Sequence, residues 1–260
     1  MIGIIGGTGF YSLIEKTEEL DMETPYGKPS SKIAVGTIAG KKVVFISRHG
    51  PGHIIPPHKI PCKANIYAFH KLGVKQIISS TAVGSLKVNI KPGDFLVPDQ
   101  IVNFTHGRDD TFYHGDDGVV HISIADSFCE RMRKILIDVL KKEGVHEKGT
   151  AVIVNGPRFS TKAESTFFKS QNWDIINMTL YPECALAREM EICYANISLI
   201  TDYDAGLKDE PTVKHVTVEE VLRLLKENNE KLRTILKEVI LSLDDRDCNC
   251  MHALDGARIG

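Results

Sequence analysis

Short apolar runs alternate with helical patterns along the whole of this 260-residue chain. Ile2–Ile5 predicts a short buried strand, and Ile175–Met178 and Ile197–Thr201 predict two later strands with a helix between them. Alternation of this kind favours an α/β fold with a mixed or mostly parallel sheet. No linker rich in Pro, Gly or Ser interrupts the pattern, so we expect one domain over residues 1–243. The polar residues 244–260 are expected to form a less ordered tail.

Local patterns locate several turns and helix ends. Ala39-Gly40-Lys41-Lys42 lies between two apolar runs and predicts a hairpin turn. Ser127-x-x-Glu130 predicts a capping box with Ser127 at the N-cap, and Gly144 is expected to end that helix. Thr161-x-x-Glu164 and Thr217-x-x-Glu220 predict the starts of two further helices in the same way.

The charge balance and the terminus narrow the functional classes. The chain carries 32 basic and 34 acidic residues, a net charge of −2, so it has no excess of positive charge to hold a polyanion such as nucleic acid. No apolar run approaches the roughly 18–20 residues of a membrane span. The N-terminus lacks the basic start and long apolar core of a signal peptide. We therefore expect a cytoplasmic globular protein.

Neither cysteine nor histidine spacing predicts a metal site. The six cysteines are too few for a disulfide scaffold, and no C-x-x-C pair suggests a zinc ribbon or a thioredoxin-type site. Cys248-Asn249-Cys250 fits two plain thiols or a redox-labile disulfide. His49, His53 and His58 are spaced like ligands, but no acidic cluster completes a site. The cysteines are Cys62, Cys129, Cys184, Cys193, Cys248 and Cys250.

Glycine, hydroxyl and arginine residues follow four predicted strands. Gly6-Gly7-Thr8-Gly9 follows the first, and its peptide N–H groups can form an anion nest. Arg48-His49-Gly50 follows the third, and an arginine fork matches phosphate oxygens. Ser79–Ser85 and Asn177-Met178-Thr179 add hydroxyls at two more strand ends. Each motif alone also fits an ordinary turn, but four at the carboxyl ends of strands predict one convergent phosphate site.

Two carboxylates and an aromatic loop suit a flat heterocycle. Thr201-Asp202-Tyr203-Asp204 ends the last strand, and one of its carboxyl groups can donate while the other accepts from an exocyclic amine. A solvated acidic turn is the alternative. Gly156-Pro157-Arg158-Phe159-Ser160 supplies Phe159, which either stacks on a ring or belongs to the loop core.

These motifs, in this order, resemble the trimeric purine nucleoside phosphorylase family and favour its methylthioadenosine branch. Thr24-Pro25-Tyr26-Gly27-Lys28-Pro29-Ser30 and Ala125-Asp126-x-Phe128-Cys129 are similar to it as well. The resemblance implies a single-domain α/β sandwich with a central mixed β-sheet flanked by helices, assembled as a homotrimer or a dimer of trimers. It also implies a reaction without metal or cofactor, in which phosphate and 5′-methylthioadenosine give adenine and 5-methylthioribose 1-phosphate in purine and methionine salvage.

The resemblance also implies roles for individual residues. Those implied to hold phosphate are Thr8, Arg48, His49, Thr81, the backbone of Ala82, and Thr179. Those implied to border the sugar and the base are Met178, Phe159, Ser160, Asp202 and Asp204, the last two at N7 and N6 of the base. Those implied to line a pocket for the 5′-methylthio group are Val218 and Val221, and His121 resembles a residue that reaches into a neighbouring subunit's site.

The alternatives differ in how far they depart from this interpretation. Asp202 and Ser160 favour adenine, whereas Ala205-Gly206 resembles the enzymes for 5′-methylthioinosine and other 6-oxopurine nucleosides. Base preference therefore stays open within the family. Arg48-His49-Gly50 is also the nucleophile motif of histidine-type phosphatases, but that family carries it at the first strand. A non-catalytic nucleotide-binding module is the remaining alternative.

Overall fold

A computed structural model describes residues 1–7, 14–115, 118–207 and 217–259, without the side chains at positions 16, 218 and 220. The strands are β1 (Ile2–Gly6), β2 (Glu15–Leu20), β3 (Ile33–Ile38), β4 (Lys41–Ser47), β5 (Gln76–Ser85), β6 (Phe95–Leu96), β7 (Gln100–Asn103), β8 (Val119–Val120), β9 (Val145–His146), β10 (Thr150–Ile153), β11 (Ile175–Asn177), β12 (Cys193–Tyr203) and β13 (Arg258–Ile259). The helices are α1 (Cys62–Lys71), α2 (Glu130–Leu140), α3 (Lys162–Ser170), α4 (Leu180–Glu189) and α5 (Val218–Ser242). Short 3-10 turns connect several of them.

Within these ranges, eleven strands form one mixed sheet, as the sequence predicts. β5 is its centre, because it pairs in parallel with both β1 and β12 and antiparallel with β11. β12 runs beside β5 for its whole length, from the Cys193–Gln76 pair to the Tyr203–Ser85 pair. The ends of these strands therefore meet at one edge of the sheet.

Helices cover both faces of the sheet. Ile2 and Ile4 of β1 pack on one face with α2 and α5, whereas Ile5 packs on the other face with α1 and α4. β12 alternates in the same way, with Ile197 on the first face and Tyr194 on the second. This alternation follows from the two-residue repeat of a strand and produces two apolar layers around the sheet.

Several local predictions are confirmed. Ala39 and Gly40 form the two-residue turn between β3 and β4, and both have positive φ angles, 49° and 80°, as the tightest hairpin turns require. Thr161 caps α3 in a capping box with Glu164, in which both reciprocal hydrogen bonds are present. Gly144 ends the segment after α2 in a left-handed conformation.

The predicted cap at Ser127 is wrong. α2 begins at Glu130 with Cys129 at its N-cap, two residues later than the capping box requires. The Ser127 hydroxyl instead donates to the Ile124 carbonyl at 3.1 Å and to Gln100 at 3.3 Å. The Ser127 side chain is therefore used in hydrogen bonds to the preceding loop and to β7, and it does not cap the helix.

The C-terminal tail is folded, which corrects the expectation of a less ordered segment. It forms a 3-10 helix over Asn249–His252, and β13 pairs with β8. Gln76 donates to the Asp244 carbonyl at 3.0 Å, and Arg246 donates to the Glu191 carbonyl. These contacts are between distant parts of the chain, so the polar composition of the tail does not reveal them.

The long last helix buries only its C-terminal half in the core. Leu232, Leu236 and Val239 are buried there, whereas Leu222 is 56% exposed. In the part of the chain that the structure describes, no helix combines the length and the apolar character needed to cross a membrane.

The close packing around β1 yields a prediction about stability. A Cβ atom at Gly3 would lie 2.9 Å from Val74 and 3.1 Å from Ile77, whereas one at Gly7 would have nothing within 4 Å. We expect Gly3→Ala to lower the free energy of unfolding by about 1–3 kcal/mol through overpacking. Gly7→Ala is the matched control and is expected to be nearly neutral. Urea unfolding of both variants tests this, and equal midpoints would contradict it.

Candidate active site

Arg48 lies at the centre of the residues predicted to hold phosphate. It follows β4 directly and is 2% exposed. Its Nη1 donates to the Ser80 carbonyl at 2.7 Å, and its Nη2 donates to the Ser79 hydroxyl at 2.8 Å, both on β5. The Arg48 amide donates to the Gly6 carbonyl at 3.0 Å, at the end of β1. The ends of β1 and β4 and the middle of β5 therefore meet at Arg48.

Glu183 compensates the charge of Arg48. Arg48 Nε lies 2.6 Å from Glu183 Oε1, and Nη2 lies 3.0 Å from Oε2. Glu183 is fully buried in α4 and also accepts a hydrogen bond of 2.7 Å from the Tyr194 hydroxyl on β12. Burial works against the charge of Arg48, but Glu183 outweighs it and raises the pKa of the guanidinium. The cation is thus permanent and held in one orientation.

One donor of Arg48 remains for a ligand. A guanidinium has five N–H groups, and the described residues accept from Nε, from both Nη2 hydrogens and once from Nη1. The second Nη1 hydrogen has no acceptor among those residues. Arg48 therefore offers an anion a fixed positive charge and one N–H group. The other four N–H groups of its guanidinium already donate within the protein.

His49 is neutral near physiological pH. Its pKa is lowered to about 4, mainly by burial and also by the neighbouring Arg48 charge, while a hydrogen bond to Ile55 opposes this decrease. Its Nδ1 lies 2.9 Å from the Ile55 carbonyl and so carries a proton, since a carbonyl only accepts. The ring stacks on His53 at 4.1 Å. In this tautomer Nε2 is an acceptor, which suits a protonated phosphate oxygen.

The side-chain amides of two buried residues, Asn196 and Asn177, contact the other predicted phosphate residues. The Thr81 hydroxyl donates to Asn196 Oδ1 at 3.2 Å. Asn177 Oδ1 accepts from the Thr179 amide at 2.7 Å, and its Nδ2 donates to the Ala82 carbonyl at 3.5 Å. Ala82 on β5 and Thr179 before α4 are therefore joined through one side chain. Thr8, the remaining predicted phosphate residue, lies outside the described residues.

A β-bulge sets the position of Asp202. The register of β12 on β5 shifts between Ile200 and Asp202, so Thr201 has no partner residue and Asp202 lies opposite Gly84. A Cβ atom at Gly84 would lie 3.0 Å from Asp202 Oδ2, so the glycine leaves room for this carboxyl group in its present position. Thr201 donates a hydrogen bond of 2.8 Å to Asp202 Oδ1.

Burial changes the protonation of Asp202. The residue is 9% exposed, and its pKa is raised to about 6, mainly by this burial; the Thr201 hydroxyl opposes the increase in part, and the nearby Asp204 adds to it. A carboxyl group with this pKa holds a proton in a useful fraction of molecules near neutral pH. It can therefore donate that proton to a leaving group.

Asp204 forms the second half of the predicted base site. It is 2% exposed, and burial raises its pKa, while the nearby Ser165 hydroxyl lowers it in part. Asp204 Oδ2 and Ser160 Oγ are buried and have no hydrogen-bond partner within the described chain. A buried acceptor and a buried hydroxyl of this kind are costly unless a ligand satisfies them.

The loop of Phe159 meets the predicted sugar site through Met178. A Cβ atom at Gly156 would lie 2.4 Å from Met178 Sδ, so the loop backbone is in contact with that side chain. Phe159 is 40% exposed, so its ring is accessible and does not form a loop core. Arg108 donates to the Met178 carbonyl at 2.8 Å and to the Asn155 carbonyl at 3.1 Å, and it thereby joins this loop to the end of β11.

The structure describes no contact between this group and three further predicted residues. The side chain of Val218 is not described, and Val221 is half-buried near the start of α5. His121 is exposed beside the β8–β13 pair, where its amide donates to the Ala257 carbonyl at 2.9 Å. Among the described residues, His49, His53 and His58 do not form a cluster of metal ligands.

A cleft of about 620 Å³ lies outside the candidate active site, beside Cys129 and Arg188.

The sequence reasoning missed the supporting side chains. Glu183 lies in α4, which was predicted, but only its burial reveals that it opposes Arg48. Asn177 belongs to a predicted motif, but the sequence does not predict its role, nor those of Asn196 and Arg108. The one sequence signal for Glu183 and Asn196 is a polar residue inside an otherwise apolar helix or strand, which requires a buried partner.

The chain matches known proteins along almost its whole length. The profile of the phosphorylase superfamily matches residues 1–241. An S-methyl-5′-thioadenosine phosphorylase of Pyrococcus horikoshii is 49% identical over 256 residues, which cover 97% of each chain. A purine nucleoside phosphorylase of Streptomyces coelicolor is 42% identical over 267 residues, which cover 98% of this chain and 94% of that one.

The fold is similar to solved structures as well. The S12T variant of the adenosine/methylthioadenosine phosphorylase of Schistosoma mansoni, solved in complex with methylthioadenosine, superposes with a TM-score of 0.90. It is 36% identical, and the superposition covers 99% of this chain and 98% of that one.

The Arg48–Glu183 pair yields a prediction about phosphate binding. In Glu183→Gln the guanidinium loses its counter-charge and turns toward other acceptors, so we expect the KM for phosphate to rise at least about tenfold, which corresponds to about 1.4 kcal/mol. The KM for the nucleoside should change much less. Steady-state kinetics at varied phosphate measures both.

Glu189→Gln is the matched control for this variant. Glu189 is 2% exposed on the same helix and bonds to Thr111 and the Phe112 amide, not to Arg48. It should lower stability without raising the KM for phosphate. If both variants raised that KM equally, the effect would come from the helix and not from the ion pair.

Proposed function

The chain belongs to the phosphorylase superfamily, and we propose that it cleaves the N-glycosidic bond of 5′-methylthioadenosine with inorganic phosphate. The products are adenine and 5-methylthioribose 1-phosphate. The observation that carries this proposal is the placement of two functions on one strand: β5 contacts the buried Arg48 through Ser79 and Ser80, and it contacts the buried Asp202 through Gly84. The enzyme is a pentosyltransferase.

In this proposal, phosphate is bound by Thr8, Arg48, His49, Thr81, the backbone of Ala82, and Thr179. The fixed charge of Arg48 attracts the anion and orients one oxygen toward C1′ of the ribose. Because His49 is neutral, it accepts a hydrogen bond and adds no second charge. The phosphate thus keeps the negative charge that stabilises the cationic sugar in the transition state.

Asp202 and Asp204 act on the base in this proposal. As the C1′–N9 bond breaks, its electron pair moves to the purine and a phosphate oxygen bonds to C1′. The proton of Asp202 passes to N7, which neutralises the departing base. Asp204 accepts from the 6-amino group, Ser160 and Phe159 border the ring, and Met178 lies against the ribose. Phosphate is the co-substrate, and no cofactor takes part.

The adenine nucleoside is favoured over the inosine nucleoside. The relatives at about 49% identity carry the name of the methylthioadenosine enzyme, and Asp204 offers the acceptor that an amino group needs. Gly206, which resembles the enzymes for 6-oxopurines, has a packing role here. A Cβ atom there would lie 2.7 Å from both Ser165 Oγ and the Thr166 amide nitrogen of α3. The glycine is therefore explained by this close contact with α3 and does not argue for a 6-oxopurine base.

The proposal extends to assembly and compartment. We propose that the protein forms a homotrimer or a dimer of trimers, in which His121 of each chain reaches a neighbouring site and Val218 and Val221 line the 5′-methylthio pocket. Contacts between subunits are supported by exposed side chains that an interface would cover. His121 is exposed, and the neighbouring rings of Phe104 and Phe167 are 45% and 47% exposed. We propose a cytoplasmic location, which the free thiols of all six cysteines support.

The first experiment is turnover of 5′-methylthioadenosine and 5′-methylthioinosine, side by side, with and without phosphate. We expect free base to appear only with phosphate and to be released faster from the adenine substrate. Release without phosphate would contradict phosphorolysis. Faster release from the inosine substrate would contradict the assignment of Asp202 and Asp204 to adenine while leaving the phosphate site intact.

The raised pKa of Asp202 predicts the pH dependence. The acid form persists up to about pH 6 and is lost above it, so kcat/KM for the nucleoside should fall by about tenfold per pH unit well above 6. In Asp202→Asn this descending limb of the pH profile should be absent, and the substrate preference should move toward 6-oxopurine nucleosides. Profiles are measured at saturating phosphate.

The control for this prediction is Asp138→Asn, on the exposed face of α2, which should keep the limb. Phosphate itself changes charge in the same pH range, so the difference between the wild-type and Asp202→Asn profiles isolates the carboxyl group. An identical limb in both would show that Asp202 is not the proton donor.

A further inference from the structure

Four of the six cysteines meet at the end of the sheet opposite the candidate active site. Cys129 is the N-cap of α2, Cys193 begins β12, and Cys248 and Cys250 flank Asn249 in the tail. Their sulfur atoms all lie within 4.8 Å of one another. We call this group of four residues the cysteine cluster. The other two cysteines, Cys62 and Cys184, lie elsewhere on the opposite face of the sheet.

The sulfur separations are those of metal ligands. Cys129 and Cys248 are 3.8 Å apart, and Cys193 and Cys248 are 3.3 Å apart, whereas a disulfide bond is about 2.05 Å long. Four sulfurs bound at about 2.3 Å to one tetrahedral zinc ion are about 3.8 Å from each other. All four are free thiols, three of them are buried, and Cys248 is half-buried. The group is thus compact and shielded, as a structural metal site is.

The surroundings favour thiolates. Arg188 donates to Cys250 Sγ at 3.3 Å, and Arg131 and Arg133 line the adjoining cleft of about 620 Å³. Nearby cations offset the excess negative charge that four thiolates carry on a divalent ion.

We propose that Cys129, Cys193, Cys248 and Cys250 bind one zinc ion in a structural site of four thiolates. Four protein ligands leave no open position for a substrate, so the ion stabilises and does not catalyse. Cys193 and Asp202 stand near opposite ends of β12, which places the cluster roughly 30 Å from the reacting groups. The cleft beside Cys129 gives the ion a route of entry.

Zinc in this site would fix the tail to the body of the protein. Cys248 and Cys250 would be held to α2 and to β12, next to the contacts of Asp244 with Gln76 and Arg131. Soft thiolates select zinc or iron among the common metals when four sulfurs surround the ion tetrahedrally. The sequence gives no sign of this site, because its ligands are spread over more than a hundred residues and contain no C-x-x-C pair.

Metal analysis of the purified full-length protein tests the proposal. We expect about one zinc per chain by plasma mass spectrometry, and release of that zinc by a thiol-modifying reagent. In Cys248→Ser the zinc content should fall at least tenfold and the Tm should drop, while turnover at low temperature is retained. Cys184→Ser is the matched control, a buried cysteine outside the cluster, and should keep its zinc.

Three results would overturn the proposal. One is a protein without metal in which mass spectrometry finds disulfides among the four cysteines. Another is a protein without metal in which all four thiols react, even after incubation with zinc. The third is stoichiometric iron in place of zinc. If Cys248→Ser does not fold, the test is made on the wild-type protein with cobalt in place of zinc. Absence of thiolate-to-cobalt absorption bands would then count against the site.

Discussion

A single buried ion pair, between Arg48 and Glu183, constrains the candidate active site. Moving a guanidinium out of water costs several kcal/mol unless its hydrogen bonds and its charge are satisfied. Here β5 supplies a carbonyl and a hydroxyl, α4 supplies the carboxylate, and β12 supplies Tyr194 to that carboxylate. These elements cannot shift independently without leaving a buried charge unpaired. The position of the phosphate site therefore follows from electrostatic compensation in the interior.

The long pairing of β5 with β12 connects this pair to the acid that acts on the base. β5 contacts Arg48 near its middle and leaves room for Asp202 at Gly84, near its end. The bulge at Thr201 directs the Asp202 carboxyl group to this place, and the burial that results raises its pKa to about 6. One rigid strand thus sets the spacing between a permanent cation and a proton donor, so neither depends on a mobile loop.

Local sequence signals succeeded where neighbouring residues decide the structure. The Ala39-Gly40 hairpin, the Thr161 capping box and the left-handed Gly144 all involve contacts within a few residues. β5 extends to Ser85 and so includes all of Ser79–Ser85, which the sequence places at a strand end, because its hydroxyls are buried against polar partners such as Asn196. Thr81 therefore lies within a strand whose polar sequence resembles a turn.

The sequence alone determined the α/β class, the family and the residue types that carry the chemistry, because these are encoded in short motifs and in the alternation of strands and helices. Only the tertiary structure decided which residues act together. Arg48 and Glu183 are 135 residues apart, and the four cysteines come from three separate segments. The raised pKa of Asp202 is likewise a property of its burial and not of its neighbours in the chain. Charge compensation and desolvation depend on which distant segments pack together, and no local pattern contains that information.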